Sequence, residues 1–164
     1  MLDEKVALIR VKLGHLSVQR NRDAYLRGLV ELCSRAVDAD RCTIYVVDQA
    51  RREVRAQVAQ RTTTEIRLPL GQGLAGHVAL TGETINVPDA YGDSRFDRSF
   101  DMRTGFRTLN TLCVPVWGSG GTVVGVIQAL NKRDGTFERR DQMLLEQVAV
   151  TVAPVIERLG AAAA

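Results

Sequence analysis

Residues 71–87 read GQGLAGHVALTGETINV, and the glycines of this stretch decide between two folds. Their spacing fits the G-x-G-x-x-G turn of dinucleotide-binding proteins, and Asp89 follows where that fold would place its ribose-binding acid. That fold also needs a long crossover helix between parallel strands, whereas only about two helical turns fit between Gly73 and Gly82. The stretch therefore disfavours NAD binding. Its glycines predict instead that helix amides approach an anion closely.

Two hairpins, one on each side of this stretch, predict an antiparallel sheet. Residues 42–47 and 53–58 are rich in β-forming side chains and are joined by a polar turn. Residues 111–117 and 122–130 repeat this pattern around a glycine-rich turn. Pro115 cannot donate a ladder hydrogen bond, so we expect it to lie at an edge or a bulge.

Between the hairpins the sequence predicts several short elements and one long loop. A helix spans about 74–80 and short strands lie near 66–68 and 84–87. The polar segment 88–108 alternates aspartates with arginines and also contains Phe96, Phe100 and Phe106. Connections of this length commonly bind ligands, so we expect a lid; the alternative is a solvated loop with i,i+4 charge pairs.

Helical patterns occupy both ends of the chain. The first divides near Asn21, a candidate N-cap, and the last spans about 138–159 with Pro154 inside it, which should kink or break that helix. Heptad seams on the terminal helices predict a homodimer bundle, although packing on the chain's own sheet would explain part of either seam. The seams are Val6, Ile9, Leu13 and Leu16 at the start, and Leu145, Val148, Val152, Val155 and Leu159 at the end. We therefore expect a dimerisation helix over 1–20, one domain over 21–160 and a tail over 161–164.

The composition argues against several classes of function. With 164 residues, 45% hydrophobic and 25% charged, the chain suits one globular domain, and it lacks a membrane-length apolar run or a signal peptide. We therefore expect a cytoplasmic protein. A net charge of +3 with dispersed arginines predicts no nucleic-acid partner.

Cys33, Cys42 and Cys113 lack C-x-x-C spacing, which favours buried free thiols. His15 and His77 lack metal-ligand spacing, so we expect no metal, and His77 is more typical of a half-exposed helix residue than of a catalytic base.

The order of these elements resembles a GAF domain over nearly the whole chain. The stretches that carry the resemblance are 71–91, 94–108, 112–117 and 123–132, followed by the terminal helix. The chain is most similar to the GAF domains of cyclic-nucleotide phosphodiesterases and bacterial adenylate cyclases, which carry N-K, a spacer, F, three residues, then D-E. Asn131, Lys132, Phe137 and Asp141 match this signature, and Gln142 replaces its last acid.

The resemblance implies an α+β fold, with about six antiparallel strands, terminal helices on one sheet face and a ligand pocket beneath short helices on the other. It also implies that Lys132 and Asp141 form an ion pair that braces the pocket. The bound ligand would be cAMP or cGMP, and its phosphate would meet the amides of Leu74 and Ala75. Gln128 or Asn110 could serve either base. Further implied ligand positions are Thr43, Gln60, Asp101, Thr104, Thr108 and Gln128.

The function implied is that of a regulatory domain, not an enzyme, with no cofactor other than a bound cyclic nucleotide. Binding would signal through the terminal helices to a covalently linked output domain in a phosphodiesterase, cyclase or kinase. The alternative is a GAF domain with an empty or differently adapted pocket that acts as a dimerising interaction module. A GAF-type methionine sulfoxide reductase needs reactive cysteines at the pocket, and bilin attachment needs one in the lid, but the three cysteines are predicted to lie in a helix and two strands.

Overall fold

The computed structural model describes residues 4–8 and 22–162, of which 4–8 are helical. The helices that follow are α1 (Arg22–Ala36), α2 (Gly73–Thr81), α3 (Ser99–Thr104) and α4 (Arg139–Ala162), with a 3-10 turn at Ala90–Gly92. The strands are β1 (Ala39–Asp48), β2 (Glu53–Ala59), β3 (Arg67–Pro69), β4 (Ile85–Val87), β5 (Thr111–Trp117) and β6 (Val123–Lys132). The candidate cap Asn21 and the seam residues Ile9, Leu13 and Leu16 lie outside the described residues.

The strands form one antiparallel sheet in the order β3-β2-β1-β6-β5-β4, which confirms the predicted six-stranded α+β fold. Both predicted hairpins are present, as β1 with β2 and β5 with β6. The ladder between β4 and β5 extends only to Cys113, so Pro115 lies beyond it where its missing amide hydrogen leaves no ladder position unfilled.

Helices α1 and α4 cover one face of the sheet and bury the larger of two hydrophobic clusters. The apolar stripe of α1 fills this cluster with Leu26, Leu29, Val30 and Cys33. From the seam on α4, Leu145, Val148 and Val152 are buried in the same cluster, and Val155 and Leu159 pack partly against it. The domain's own core therefore accounts for part of the seam on α4. Pro154 does not break α4, which is a single helix.

The other sheet face carries the second cluster, which α2 and the residues after β4 cover. Two glycines fix α2 in place. A Cβ at Gly76 would lie 2.7 Å from the Pro69 carbonyl oxygen, so only glycine permits this approach of helix to strand. Gly82 adopts φ 72° and donates its amide to the Val78 carbonyl, which ends α2 where the sequence predicted.

Candidate functional site

A cavity of about 410 Å³ lies between the second sheet face, α2 and the segment 88–108, which we call the lid. The volume falls in the range of about 300–1,000 Å³ that is typical of small-molecule sites. Of the eight predicted ligand positions, seven line this cavity: Thr43, Gln60, Leu74, Ala75, Asp101, Thr108 and Gln128. Thr104 does not line it. Its exposed hydroxyl donates to the Phe100 carbonyl within α3, because a threonine in a short helix can bond the preceding turn.

Polar side chains of β1 and β6 form the floor of the cavity. Thr43 and Gln128 are direct partners in the ladder and are both buried. Tyr45 follows Thr43 by two positions on the same strand face, and its hydroxyl donates to Gln128 Oε1 at 3.3 Å. Burial raises the pKa of Tyr45 well above its usual range, so the phenol stays protonated as a donor.

Gln60 borders the cavity, but its side-chain amide is engaged elsewhere. Its Oε1 accepts from the Cys42 amide at 2.7 Å, and its Nε2 donates to Glu31 at 3.1 Å. Gln60 thus fastens the end of β2 to β1 and to α1. Any contact of this residue with a ligand would use its aliphatic part, or would require these bonds to break.

Residues of the first turn of α2 line the cavity. Leu74 and Ala75 are buried there, and helix geometry leaves the amides of a first turn without intrahelical acceptors. Gln72 precedes the helix but does not cap it, because its Nε2 donates to Asp97 Oδ2 at 2.7 Å. Hydrogen bonds from Ser99 and Gln72 lower the pKa of Asp97. The lid is thereby tied to the helix terminus.

A buried carboxylate organises the interior of the lid. Asp101 accepts from the Tyr91 hydroxyl at 2.7 Å, from the Thr108 amide at 2.8 Å and from the Thr108 hydroxyl at 3.0 Å. The ring of Phe106 lies beneath the Arg41 guanidinium, 3.9 Å from ring centroid to Cζ. Phe96 and Phe100 pack against the second cluster. The lid is therefore an ordered wall of the cavity rather than a solvated loop.

The signature residues brace the lid from outside the cavity. Lys132 Nζ lies 3.0 Å from Asp141 Oδ2 and also donates to the Val37 carbonyl at 2.8 Å. Asn131 adopts φ 60°, and its side chain accepts from the Leu109 amide at 2.7 Å and donates to the Arg107 carbonyl at 2.9 Å. The pair thus connects β6 to α4, while Asn131 holds the returning end of the lid.

The two remaining signature positions serve the packing near α4. Phe137 is buried in the larger cluster, and its carbonyl accepts from Asn86 at 2.8 Å. Gln142, which stands where the signature has an acid, donates to Glu146 at 3.0 Å along α4. The replacement therefore leaves the pair between Lys132 and Asp141 intact.

Arg41 and Tyr45 are among the cavity residues that sequence reasoning missed. Both flank Thr43 at a spacing of two on β1. Side chains alternate across a strand, so once Thr43 is placed on the cavity face, the same face must carry residues 41 and 45. The two-residue period of the strand could therefore have predicted that Arg41 and Tyr45 line the cavity.

The described residues offer little for covalent or metal chemistry. Cys33, Cys42 and Cys113 are buried free thiols, as predicted, and burial raises the pKa of Cys33 and of Cys113 to about 12, which disfavours the nucleophilic thiolate. His77 is partly exposed on α2, 3.9 Å from Glu83. Within 4–8 and 22–162 no cluster of three metal-ligating side chains occurs. No helix in this part of the chain has the length and apolar composition needed to cross a bilayer.

Comparison with known proteins identifies the class that this fold and cavity define. The family model described as GAF domain matches residues 21–156, and the chain belongs to that family. It is 36% identical over 141 residues to the probable 3',5'-cyclic phosphodiesterase pde-5 of Caenorhabditis elegans, a match that covers 78% of this chain. The match covers only 19% of that protein, so the chain corresponds to a small part of its relative.

Solved structures confirm the fold at lower sequence identity. The GAF domain of an Acinetobacter phosphoenolpyruvate-protein phosphotransferase superposes with a TM-score of 0.82 at 21% identity, covering 99% of this chain and 97% of that one. The free methionine-R-sulfoxide reductase of Neisseria meningitidis superposes with a TM-score of 0.74 at 20% identity, covering 98% and 94%. The same fold therefore occurs in a domain of a phosphotransferase and in a reductase, so the fold by itself does not define the function of this chain.

Proposed function

We propose that this chain is a regulatory GAF domain that binds a cyclic nucleotide, cAMP or cGMP, in the cavity beneath the lid. The observation that carries the proposal is that seven of the eight ligand positions implied by the resemblance line one cavity of about 410 Å³. The kinship with a cyclic phosphodiesterase supports it, since relatedness at 36% identity extends over most of the chain.

The cavity offers chemistry suited to both ends of such a ligand. A cyclic phosphate carries one negative charge, and the amides and dipole at the start of α2 favour an anion beside Leu74 and Ala75 by roughly 0.3–1 kcal/mol, and up to about 2 kcal/mol when partly buried. Hydroxyl and amide groups on the floor, from Thr43 and Gln128, can read the base. The phenylalanines of the lid supply apolar cover.

In this proposal the chain is part of a longer cytoplasmic protein and forms a homodimer. The terminal helices transmit the signal to an output domain of that protein. The lid returns to β5 through residues that Asn131 brackets, and the adjacent Lys132 is paired to α4 through Asp141. Contacts between a ligand and the lid can therefore favour one arrangement of α4 over another. The shift in output is limited to the difference in ligand affinity between the two arrangements.

Calorimetric titration of refolded, ligand-free protein with each nucleotide tests the binding. Ala59 lines the cavity opposite Thr43, so Ala59→Leu should fill part of it and abolish binding. Ala50→Leu, in the exposed turn between β1 and β2, is the matched control and should bind as the parent does. Absence of heat with either nucleotide at high micromolar concentration would defeat the proposal.

Lys132→Ala should weaken binding, although this side chain lies outside the cavity. Its loss removes the contact that holds the end of β6 against α4, and the lid is bracketed by the neighbouring Asn131. An unchanged affinity would show that the signature pair of Lys132 and Asp141 does not support ligand binding.

A sulfoxide reductase function is the second candidate, because free methionine-R-sulfoxide reductases are among the structural neighbours. The described residues argue against it: all three thiols are buried, and none lines the cavity. We therefore propose that the domain is not an enzyme. If the calorimetry shows no binding, the proposal that remains is a dimerising interaction module.

A further inference from the structure

Two arginine side chains of the lid lie against one aromatic ring. The guanidinium carbon of Arg98 is 4.7 Å from the ring centroid of Tyr91, and that of Arg107 is 4.4 Å from it. Both distances are short enough for cation–π attraction, which reaches to about 6 Å. Both arginines are exposed and neither lines the cavity, so they belong to the outer surface of the lid.

The structure holds both side chains in place without neutralising their charges. Arg98 Nη2 donates to the Tyr91 carbonyl at 3.1 Å. The backbone of Arg107 is fixed by Asn131, whose Nδ2 donates to the Arg107 carbonyl at 2.9 Å. Among the described residues, neither guanidinium forms an ion pair with a carboxylate. N–H donors therefore remain for an anionic group, and little side-chain entropy has to be lost when it binds.

An exposed apolar side chain accompanies each arginine. Met102 lies one helical turn after Arg98, where its amide donates to the Arg98 carbonyl at 2.9 Å, and it is 82% exposed. Leu109 follows Arg107 by two positions and is 53% exposed, whereas Thr108 between them is buried. Each arginine therefore shares its side of the chain with an apolar group. We call this surface the Tyr91 patch, formed by Tyr91, Arg98, Met102, Arg107 and Leu109.

The composition of the Tyr91 patch suits a polypeptide better than a nucleic acid or a lipid surface. Arginine, methionine and tyrosine are enriched at protein interfaces. Nucleic acids bind through many phosphate contacts and through open aromatic rings, but the Tyr91 ring already contacts both guanidinium groups and Phe96, 5.2 Å between ring centroids. Anionic membranes attract clusters of about 4–8 basic side chains, more than the two of this patch.

We propose that the Tyr91 patch is a docking surface for an acidic polypeptide segment that also carries apolar side chains. Carboxylates of the segment bind the guanidinium groups of Arg98 and Arg107, and its apolar side chains pack against Met102 and Leu109. Tyr91 is the positioning residue, because both arginines lie against its ring. The inference goes beyond the proposed function, since no residue of the patch lines the cavity.

One buried carboxylate joins the Tyr91 patch to the cavity. The Tyr91 hydroxyl donates to Asp101 at 2.7 Å, and Asp101 lines the cavity. The same carboxylate accepts from the amide of Thr108, which lies between Arg107 and Leu109. A partner at the patch and a ligand in the cavity therefore contact residues that share hydrogen bonds, and any coupling between the two sites is reciprocal.

Fluorescence anisotropy of a labelled synthetic peptide tests docking on the unmodified protein. The peptide repeats two aspartates and two leucines, which places both residue types on each face of an extended chain. Two control peptides, with asparagine in place of aspartate or serine in place of leucine, should both bind more weakly. No binding at millimolar concentration, or equal binding of all three peptides, would overturn the proposal.

Variants of the Tyr91 patch test the residues named. Arg98→Gln with Arg107→Gln should weaken peptide binding by about 2- to 30-fold, the equivalent of two exposed charge pairs. Arg27→Gln with Arg158→Gln removes the same net charge from exposed positions on α1 and α4, and should leave the affinity unchanged at physiological ionic strength. Tyr91→Leu removes the ring and should weaken docking, whereas Tyr91→Phe keeps the ring and should bind as the parent does. Equal weakening in both double variants would overturn the proposal.

Two further measurements complete the test. In the unmodified protein, titration with the aspartate–leucine peptide should shift the NMR signals of amides 98–109 most strongly, and shifts centred elsewhere would overturn the proposal even where a variant fails to fold. Single-stranded DNA and phosphatidylserine vesicles should bind more weakly than the peptide. Tighter binding of either one that is lost in the double variant Arg98→Gln with Arg107→Gln would overturn the assignment of a polypeptide partner.

Discussion

The ion pair between Lys132 and Asp141 permits a direct test of how the signature stabilises this domain. Both side chains are nearly buried, with exposed fractions of 11% and 6%. We consider Lys132→Met, which keeps most of the aliphatic stem and removes the charge. Asp141 would then remain buried, with the Glu138 amide at 2.8 Å as its hydrogen-bond donor, and the Val37 carbonyl would lose a donor.

The expected cost follows from the burial of the charge that remains. Removing one partner of a buried pair typically lowers the free energy of unfolding by about 3–5 kcal/mol, since the other charge is left uncompensated. A domain of this size loses roughly 2–4 °C in Tm for each kcal/mol, so a loss of about 6–20 °C is expected. Domains are stabilised by about 5–15 kcal/mol in total, which makes the change large but survivable.

Urea unfolding and calorimetric melting of the variant measure this loss. Arg140→Ala, which breaks the exposed pair with Glu138, is the matched control and should cost about 0–1 kcal/mol. The double variant Lys132→Met with Asp141→Leu removes both charges and should recover most of the stability, because no unpaired charge is left. A loss in Lys132→Met no larger than in Arg140→Ala would refute the reasoning, as would a double variant no more stable than the single one.

Three further predictions concern α2, the thiols and the lid. Gly76→Ala should lower the free energy of unfolding by about 1–3 kcal/mol in urea titration, because the added methyl meets a backbone oxygen, whereas Gly120→Ala should cost little because open space surrounds it. A similar cost at both glycines would contradict this. Cys33 and Cys113 should resist a thiol reagent at pH 8 and react once urea unfolds the domain, since the pKa of each is about 12; fast labelling of the native protein would show otherwise. Asp97, whose pKa is lowered in the fold, contributes stability that is present above about pH 4 and lost as the pH falls further. The protection of lid amides against hydrogen exchange should therefore fall below that pH in the parent protein and less so in Asp97→Asn, and identical profiles would contradict the assignment.

Local periodicity in the sequence determined the elements of this fold. Alternation of period two predicted both hairpins, and a short apolar run ended by Gly82 predicted α2, because these patterns depend only on neighbouring residues. The burial of the three thiols followed from the apolar runs around them. Resemblance to a known family then predicted the pairing of Lys132 with Asp141.

Tertiary structure alone decided which hydrogen-bond partners the polar groups around the cavity have. Gln60 and Gln128 look alike in sequence, yet the amide of Gln60 bonds to Cys42 and Glu31, whereas the oxygen of Gln128 accepts from Tyr45. Tyr45 and Gln128 are 83 positions apart, so no local pattern could have joined them. The same limit applied to the seam on α4, which packs on the domain's own core. Periodicity assigns a side chain to a face, but its partner on that face depends on strand order and register, which only the folded chain supplies.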